Sequence, residues 1–206
     1  MTRAALAGAW LLMLAAGVVP DRPVLSSAQT TRGSDATIVL AGGCFWGVEA
    51  VFEHVRGVRS ATSGYARYAN PPSSVRIEAV RIIYDPSQVT RRQLLEVFFL
   101  VAHDPTTRDR QGPDSGPEYR AVVFFQSPAE RETAEAYVAE LTRDRRFGRP
   151  IVTEVRALAG FGVAEDVHQD YGSRHPNDPY VVRNDAPKLA TLQQRFPQFY
   201  QKERAP

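Results

Sequence analysis

The chain contains a single cysteine, Cys44, so it can form no intramolecular disulfide and cannot build a thiolate metal site from its own residues. Its four histidines (His54, His103, His168 and His175) show no paired ligand spacing, which leaves a metal without a donor set. No glycine-rich phosphate or dinucleotide fingerprint follows a strand, and Gly42-Gly43 is too short for either. A formal charge of +2 does not argue for nucleic acid as a partner, and Arg143-Asp144-Arg145-Arg146 reads as a solvated helix end. There is no internal repeat and no low-complexity segment.

What is present is an ordinary globular composition over 206 residues, 43% hydrophobic and 23% charged, which excludes wholesale disorder. Arg3 precedes an apolar run over residues 4–19 that Pro20 ends, and Ser26-Ser27-Ala28 supplies small residues for cleavage after Ala28. Residues 1–28 are therefore expected to be a cleaved signal peptide, and residues 29–36 a flexible polar tail. The run is short for a membrane span, which makes an uncleaved anchor the lesser alternative, and no cysteine follows it for lipid attachment. Export, to a bacterial periplasm, is the expected location. A lone thiol in an exported protein is a liability unless it is used.

The hydrophobic periodicity predicts strand 37–41, helix 44–55, strand 57–64, strand 77–84, helix 91–101, strand 119–125, helix 128–146 and strand 151–156. Thr90 and Ser127 are the expected N-caps, the latter with proline at N1 and Glu130 at N3. Both faces of 77–84 are largely apolar, so that strand should be internal. The order β-α-β-β-α-β predicts an α/β (α+β) fold, a ferredoxin-like two-layer sandwich with a mixed central sheet, an extra helix and an edge strand. The domain should span 37–171. Residues 172–206 are expected to form an irregular extension, apart from a short helix near 186–195. The long polar segments 66–75 and 104–118 are of the length that tends to carry function.

Cys44 follows a glycine turn and opens a helix, where free N–H groups and the positive dipole end favour an anion; such sites lower a thiol pKa. Glu78 is an acid within an apolar strand, and if buried its pKa rises and it becomes a usable general acid. The loop from Gln111 to Arg120 brings Asp114, Tyr119 and Arg120 onto a glycine-proline scaffold, where an ordinary turn is the alternative. Glu165 and His168 face each other on one turn, as a structural pair. A cysteine–histidine hydrolase remains open, since His103 or His168 could approach Cys44.

Gly43-Cys44-Phe45-Trp46-Gly47-Val48-Glu49 resembles the nucleophile signature of the methionine sulfoxide reductase A family, the peptide-methionine (S)-S-oxide reductases. So do Ser63-Gly64-Tyr65, Glu78-Ala79-Val80 through Tyr84-Asp85-Pro86, and His103-Asp104-Pro105-Thr106. Arg110-Gln111-Gly112 through Asp114, Gly116 and Tyr119-Arg120 continues the likeness, and Ala164-Glu165 with His168-Gln169 and Tyr171 ends it. The motifs are collinear over 37–171. The resemblance implies an α/β arrangement around a mixed sheet and no metal or organic cofactor. It implies that Cys44 attacks the sulfoxide sulfur, Glu78 protonates the oxygen, and Tyr119 and Asp114 position that oxygen. Phe45 and Trp46 would hold the S-methyl group, although on sequence alone both could be core residues. The substrate would be methionine sulfoxide in proteins, in peptides or as the free amino acid, turned over by a monomer.

Two departures from the family pattern matter. Asn70-Pro71-Pro72-Ser73-Ser74-Val75-Arg76-Ile77 is shortened and lacks the family's second oxygen-binding tyrosine, and neither Tyr65 nor Tyr68 is expected to replace it. The tail has no resolving cysteine. An external thiol, thioredoxin-like, glutaredoxin-like or small, must then reduce the Cys44 sulfenic acid. A non-enzymatic binder of oxidised peptides is the remaining alternative, made plausible by the trimmed loop.

Overall fold

A computed structural model describes Met1, residues 34–69 and residues 75–205. The chain divides between Arg32 and Gly33 into two units, and the account below concerns the second. The leader expected over 1–28 lies outside the described residues, Met1 excepted, as do residues 70–74 of the shortened loop.

Strand β1 (Ala36–Ala41) pairs antiparallel with β3 (Ile77–Tyr84) on one side and β6 (Val122–Phe125) on the other. Strand β2 (Val58–Tyr68) pairs antiparallel with β3, so β3 is internal, as its two apolar faces require. The expected strand at 151–156 forms later and runs longer, as β7 (Glu154–Val163). Its first half runs parallel to β6, from Val122↔Glu154 to Phe125↔Ala157, and its second half runs antiparallel to β2, from Arg67↔Gly160 to Gly64↔Val163. Between Arg67↔Gly160 and Tyr68↔Leu158 the register skips Ala159, a bulge that bends β7 as it passes from β6 to β2. What was expected as an edge strand therefore closes the sheet into a ring ordered β1-β3-β2-β7-β6, in place of an open two-layer sandwich.

Alternation along the strands divides the core in two. Ile38, Leu40, Val80 and Ile82 face helix α1 (Phe45–Glu53) and helix α2 (Arg91–Val97), while Val39, Ala41, Ile77, Ala79, Val122 and Phe124 form a smaller cluster on the opposite face. Thr90 caps α2 in a reciprocal pair with Gln93, worth about 1 kcal/mol. The helix expected to run to 101 changes to a π turn over Phe98–Ala102, a device often found beside functional sites. Helix α3 (Pro128–Arg143) starts at the Ser127 cap.

As far as Arg195 the end of the chain is more regular than expected. After a short turn, α4 (Tyr171–Arg174), a π turn over Val181–Asp185 leads directly into α5 (Ala186–Arg195). Its polar composition hides few but deep anchors, namely Val181, Leu192 and Phe196, all buried. Arg204 then reaches back to the buried Glu53 at 2.9 Å and to Asp170, tying the end of the chain to α1. Among the described residues no helix is long and apolar enough to cross a membrane.

Candidate active site

Helix α1 is held in place by its own acids. Glu49, almost fully buried, accepts the backbone N–H groups of Ser63 and Asp170, each at 3.0 Å, which locks α1 onto β2 and the tail. Gln169 pairs with both main-chain groups of Ser63 at 3.0 Å, in the manner of an extra strand. The sequence motif from Ala164 to Tyr171 thus acts largely as scaffold. His168 and Glu165 lie 3.9 Å apart, beyond hydrogen-bond reach, so the bonded structural pair expected there is not formed.

Cys44 is the N-cap of α1 and 9% exposed. The residue before it, Gly43, has φ +88°, and a Cβ there would overlap the Gln111 side chain. That approach seats the loop against the thiol, because Gln111 in turn bonds the main chain of Asp104 at 2.9 and 2.8 Å. Gly43→Ala is expected to lower the melting temperature and to cut turnover at least about tenfold. Thermal denaturation and steady-state kinetics check this, and wild-type values in both would show that the contact is dispensable.

The electrostatics reverse one expectation. The thiol is not acidified by its helix end; burial first, and then the Glu78 carboxylate, push its pKa up to about 12. The N–H of Trp46 and the Tyr180 hydroxyl pull the other way without prevailing. The free amide at the helix start is taken by a different anion, since Phe45 N–H donates to Glu78 Oε2 at 3.1 Å. Glu78 itself is half-buried, and desolvation raises its pKa to about 7 despite that bond. At rest the pair holds its proton mainly on sulfur.

Asp114 lies on a two-residue hairpin, β4 (Arg110–Gln111) with β5 (Asp114–Ser115), and Tyr119 on the single turn that follows. A bidentate Arg120–Asp109 pair at 2.5 and 2.8 Å fixes this loop. Burial, then Glu78, Asp114 and Cys44 raise the Tyr119 pKa to about 12, which keeps its hydroxyl a donor. The residue that sequence reasoning missed is Tyr180. Its hydroxyl donates to Asp114 and makes a second polar contact with Cys44, and burial with these two neighbours drives its pKa strongly upward. Nothing local marks it, for it is one aromatic in a polar tail without periodicity. A cleft of about 200 Å³ opens here, bounded by Cys44, Gln111, Asp114, Tyr180 and Lys188. Lys188 lies 3.5 Å from the buried Asp185, which packs where Gly47 leaves no side chain.

Phe45 is 2% exposed and belongs to the helix-side core, tilted against Tyr65 and His168. Trp46 is half-buried, stacked on Tyr171 at 3.6 Å with the Tyr180 edge at 5.7 Å. Tyr68 is buried in the opposite cluster, away from this face. His103 offers no base to Cys44. Its Nδ1 faces the Phe98 carbonyl at 2.8 Å and must donate, and Nε2 meets the Thr153 hydroxyl at 2.9 Å. Burial lowers its pKa to about 4, so it is neutral with both nitrogens engaged. Among the described residues no group of three His, Cys, Asp or Glu side chains is placed to hold a metal ion.

The profile of the family described as peptide methionine sulfoxide reductase matches residues 36–200. The chain is 40% identical over 199 residues to "Peptide methionine sulfoxide reductase MsrA 2" of Synechocystis sp., covering 92% of this chain and 93% of that one. It is 43% identical over 181 residues to the protein of the same description from Mesorhizobium japonicum, covering 84% and 92%. Among solved structures it is similar to Mxr1 from Saccharomyces cerevisiae in reduced form, with a TM-score of 0.60 and 31% identity over 70% of this chain and 87% of that one. A structure of the same yeast protein in complex with Trx2 aligns with a TM-score of 0.50 and 25% identity, over 71% and 91%.

Proposed function

The chain belongs to the peptide methionine sulfoxide reductase family, oxidoreductases that act on peptide methionine sulfoxide, and we propose that Cys44 and Glu78 carry its chemistry. The observation that carries this assignment is the Phe45 N–H bond to Glu78 Oε2, which sets a carboxyl of raised pKa at the same helix end as the only thiol. Sulfoxide oxygen leaves poorly until it is protonated. The thiol proton passes to Glu78 and from there to the oxygen, as the Cys44 sulfur attacks the sulfoxide sulfur. The S–O bond breaks, methionine departs, and the oxygen stays on Cys44 as sulfenic acid. Thiol plus sulfoxide thus gives sulfenic acid plus sulfide, with no proton gained or lost. Selectivity for the S epimer belongs to the same reading, since one enzyme serves each epimer.

Tyr119 flanks the position of the oxygen as a neutral donor; the Tyr180 hydroxyl, whose one proton rests on Asp114, becomes a second donor when that proton turns from the carboxylate to the oxygen. Tyr180 takes the place of the tyrosine missing from the shortened loop. Tyr180→Phe is expected to slow the chemical step about 10- to 100-fold, the scale of one hydrogen bond to developing charge. Single-turnover kinetics with methionine S-sulfoxide checks it, and an unchanged rate would remove Tyr180 from the role. Trp46, with Phe45 behind it, forms the apolar side for the methyl group.

A chain with one cysteine cannot resolve its own sulfenic acid. An external thiol condenses with it, releasing water, and a second thiol frees Cys44. A thioredoxin-like reductant fits this step, supported by the yeast relative described in complex with Trx2. Action as a monomer is the simplest reading of a cleft built from one chain. Export behind a leader over 1–28 is part of the same proposal and rests on Arg3, the apolar run 4–19 and Ser26-Ser27-Ala28.

A further inference from the structure

Beside the Cys44 cleft, a second and larger depression of about 490 Å³ opens over β2 and β7. Register places it on the face of the catalytic acid. Glu78 pairs with Tyr65, and Tyr65 with Gly162, so the three stand in one cross-strand row. Arg67 pairs with Gly160, and Arg76 stands two residues from Glu78, which makes Arg76, Arg67 and Gly160 the next row on the same face. At Gly160 and Gly162 a Cβ would meet nothing within 4 Å, so the floor there is bare backbone. Beyond Ala157 the outer edge of β7 has no strand partner among the described residues, and its N–H and C=O groups on that side can take an extended chain.

The charge on this surface is one-sided. Arg67 and Arg76 are both exposed, and neither forms an ion pair among the described residues; Glu165 is the one acid of the lining. Arg76 lies over the Tyr65 ring at 4.5 Å, and Tyr65 in turn packs on Phe45 at 5.7 Å, so one lining residue of the depression touches the neighbour of Cys44. We propose that this groove receives the polypeptide flanking the oxidised methionine and favours substrates with acidic side chains there over substrates with basic ones. The proposal rests on the reductase reading of the Cys44 cleft.

Three substrates test it on the full enzyme: capped methionine sulfoxide, and two extended peptides with the sulfoxide at the centre and either Glu or Lys on both flanks. The acidic peptide is expected to exceed the basic one in kcat/KM by roughly three- to tenfold at low salt, the scale of two exposed ion pairs. The ratio should shrink at about 0.5 M salt. In R67Q/R76Q it should fall toward one, and in R67E/R76E it should invert. A wild-type ratio of one or below, or a preference that persists in R67Q/R76Q, would overturn the groove assignment while capped methionine sulfoxide still turns over. Loss of turnover on the capped residue would overturn the reductase reading itself.

Discussion

Cys44→Ser is expected to abolish reduction of methionine sulfoxide, by at least about 10⁴-fold, the scale seen when a catalytic nucleophile is removed. The change swaps one atom at a site 9% exposed, so the fold should survive and circular dichroism should match the wild type. The size of the loss follows from composition. No second cysteine is present to take over the attack, and a serine hydroxyl cannot hold the oxygen as a stable sulfenic acid. Retained turnover in the serine variant would remove Cys44 from the reaction.

Glu78→Gln should slow the chemical step by about 10²- to 10⁴-fold while leaving the helix start intact, because the amide oxygen can still accept the Phe45 N–H. The pH profile separates this from a structural effect. Below about 7 both Glu78 and Cys44 carry protons; above it the pair holds one proton, the state that reacts once that proton sits on Glu78. The single-turnover rate should therefore climb with pH through about 7 and then level. In Glu78→Gln the group that titrates near 7 is gone, and so should be the limb. A slow variant that keeps the limb would assign it to another group.

Much of this site was legible in the sequence because its residues are close in the chain or stand on regular elements. Cys44 follows a glycine turn, Glu78 breaks an apolar strand, and Asp114 and Tyr119 share one loop. Each leaves a local mark. The thiol pKa was misread because a helix start favours an anion in general, whereas which anion occupies it depends on β3 crossing beneath α1. Glu78 takes the Phe45 amide, and burial then keeps Cys44 protonated. The ring closure by β7 was hidden for a similar reason. Its ten residues read as a short strand with a glycine-rich end, and only the bulge at Ala159 shows where that end pairs. Tyr180 and Asp185 lie in a tail of Pro, Gln and Arg, where burial comes from a few distant anchors and not from periodicity. The helix at 186–195, with its own apolar spacing, was the part of that tail that could be read.

The central claim is that one thiol performs the chemistry once and then waits for another molecule. The most direct test mixes enzyme with excess methionine S-sulfoxide, without reductant, and counts methionine released per chain while trapping sulfenic acid with a dione probe. The expected result is one methionine per chain and one probe adduct, located on Cys44, with turnover resuming when thiol is added. Release of no methionine, continued turnover without thiol, or an unmodified Cys44 after release would contradict it.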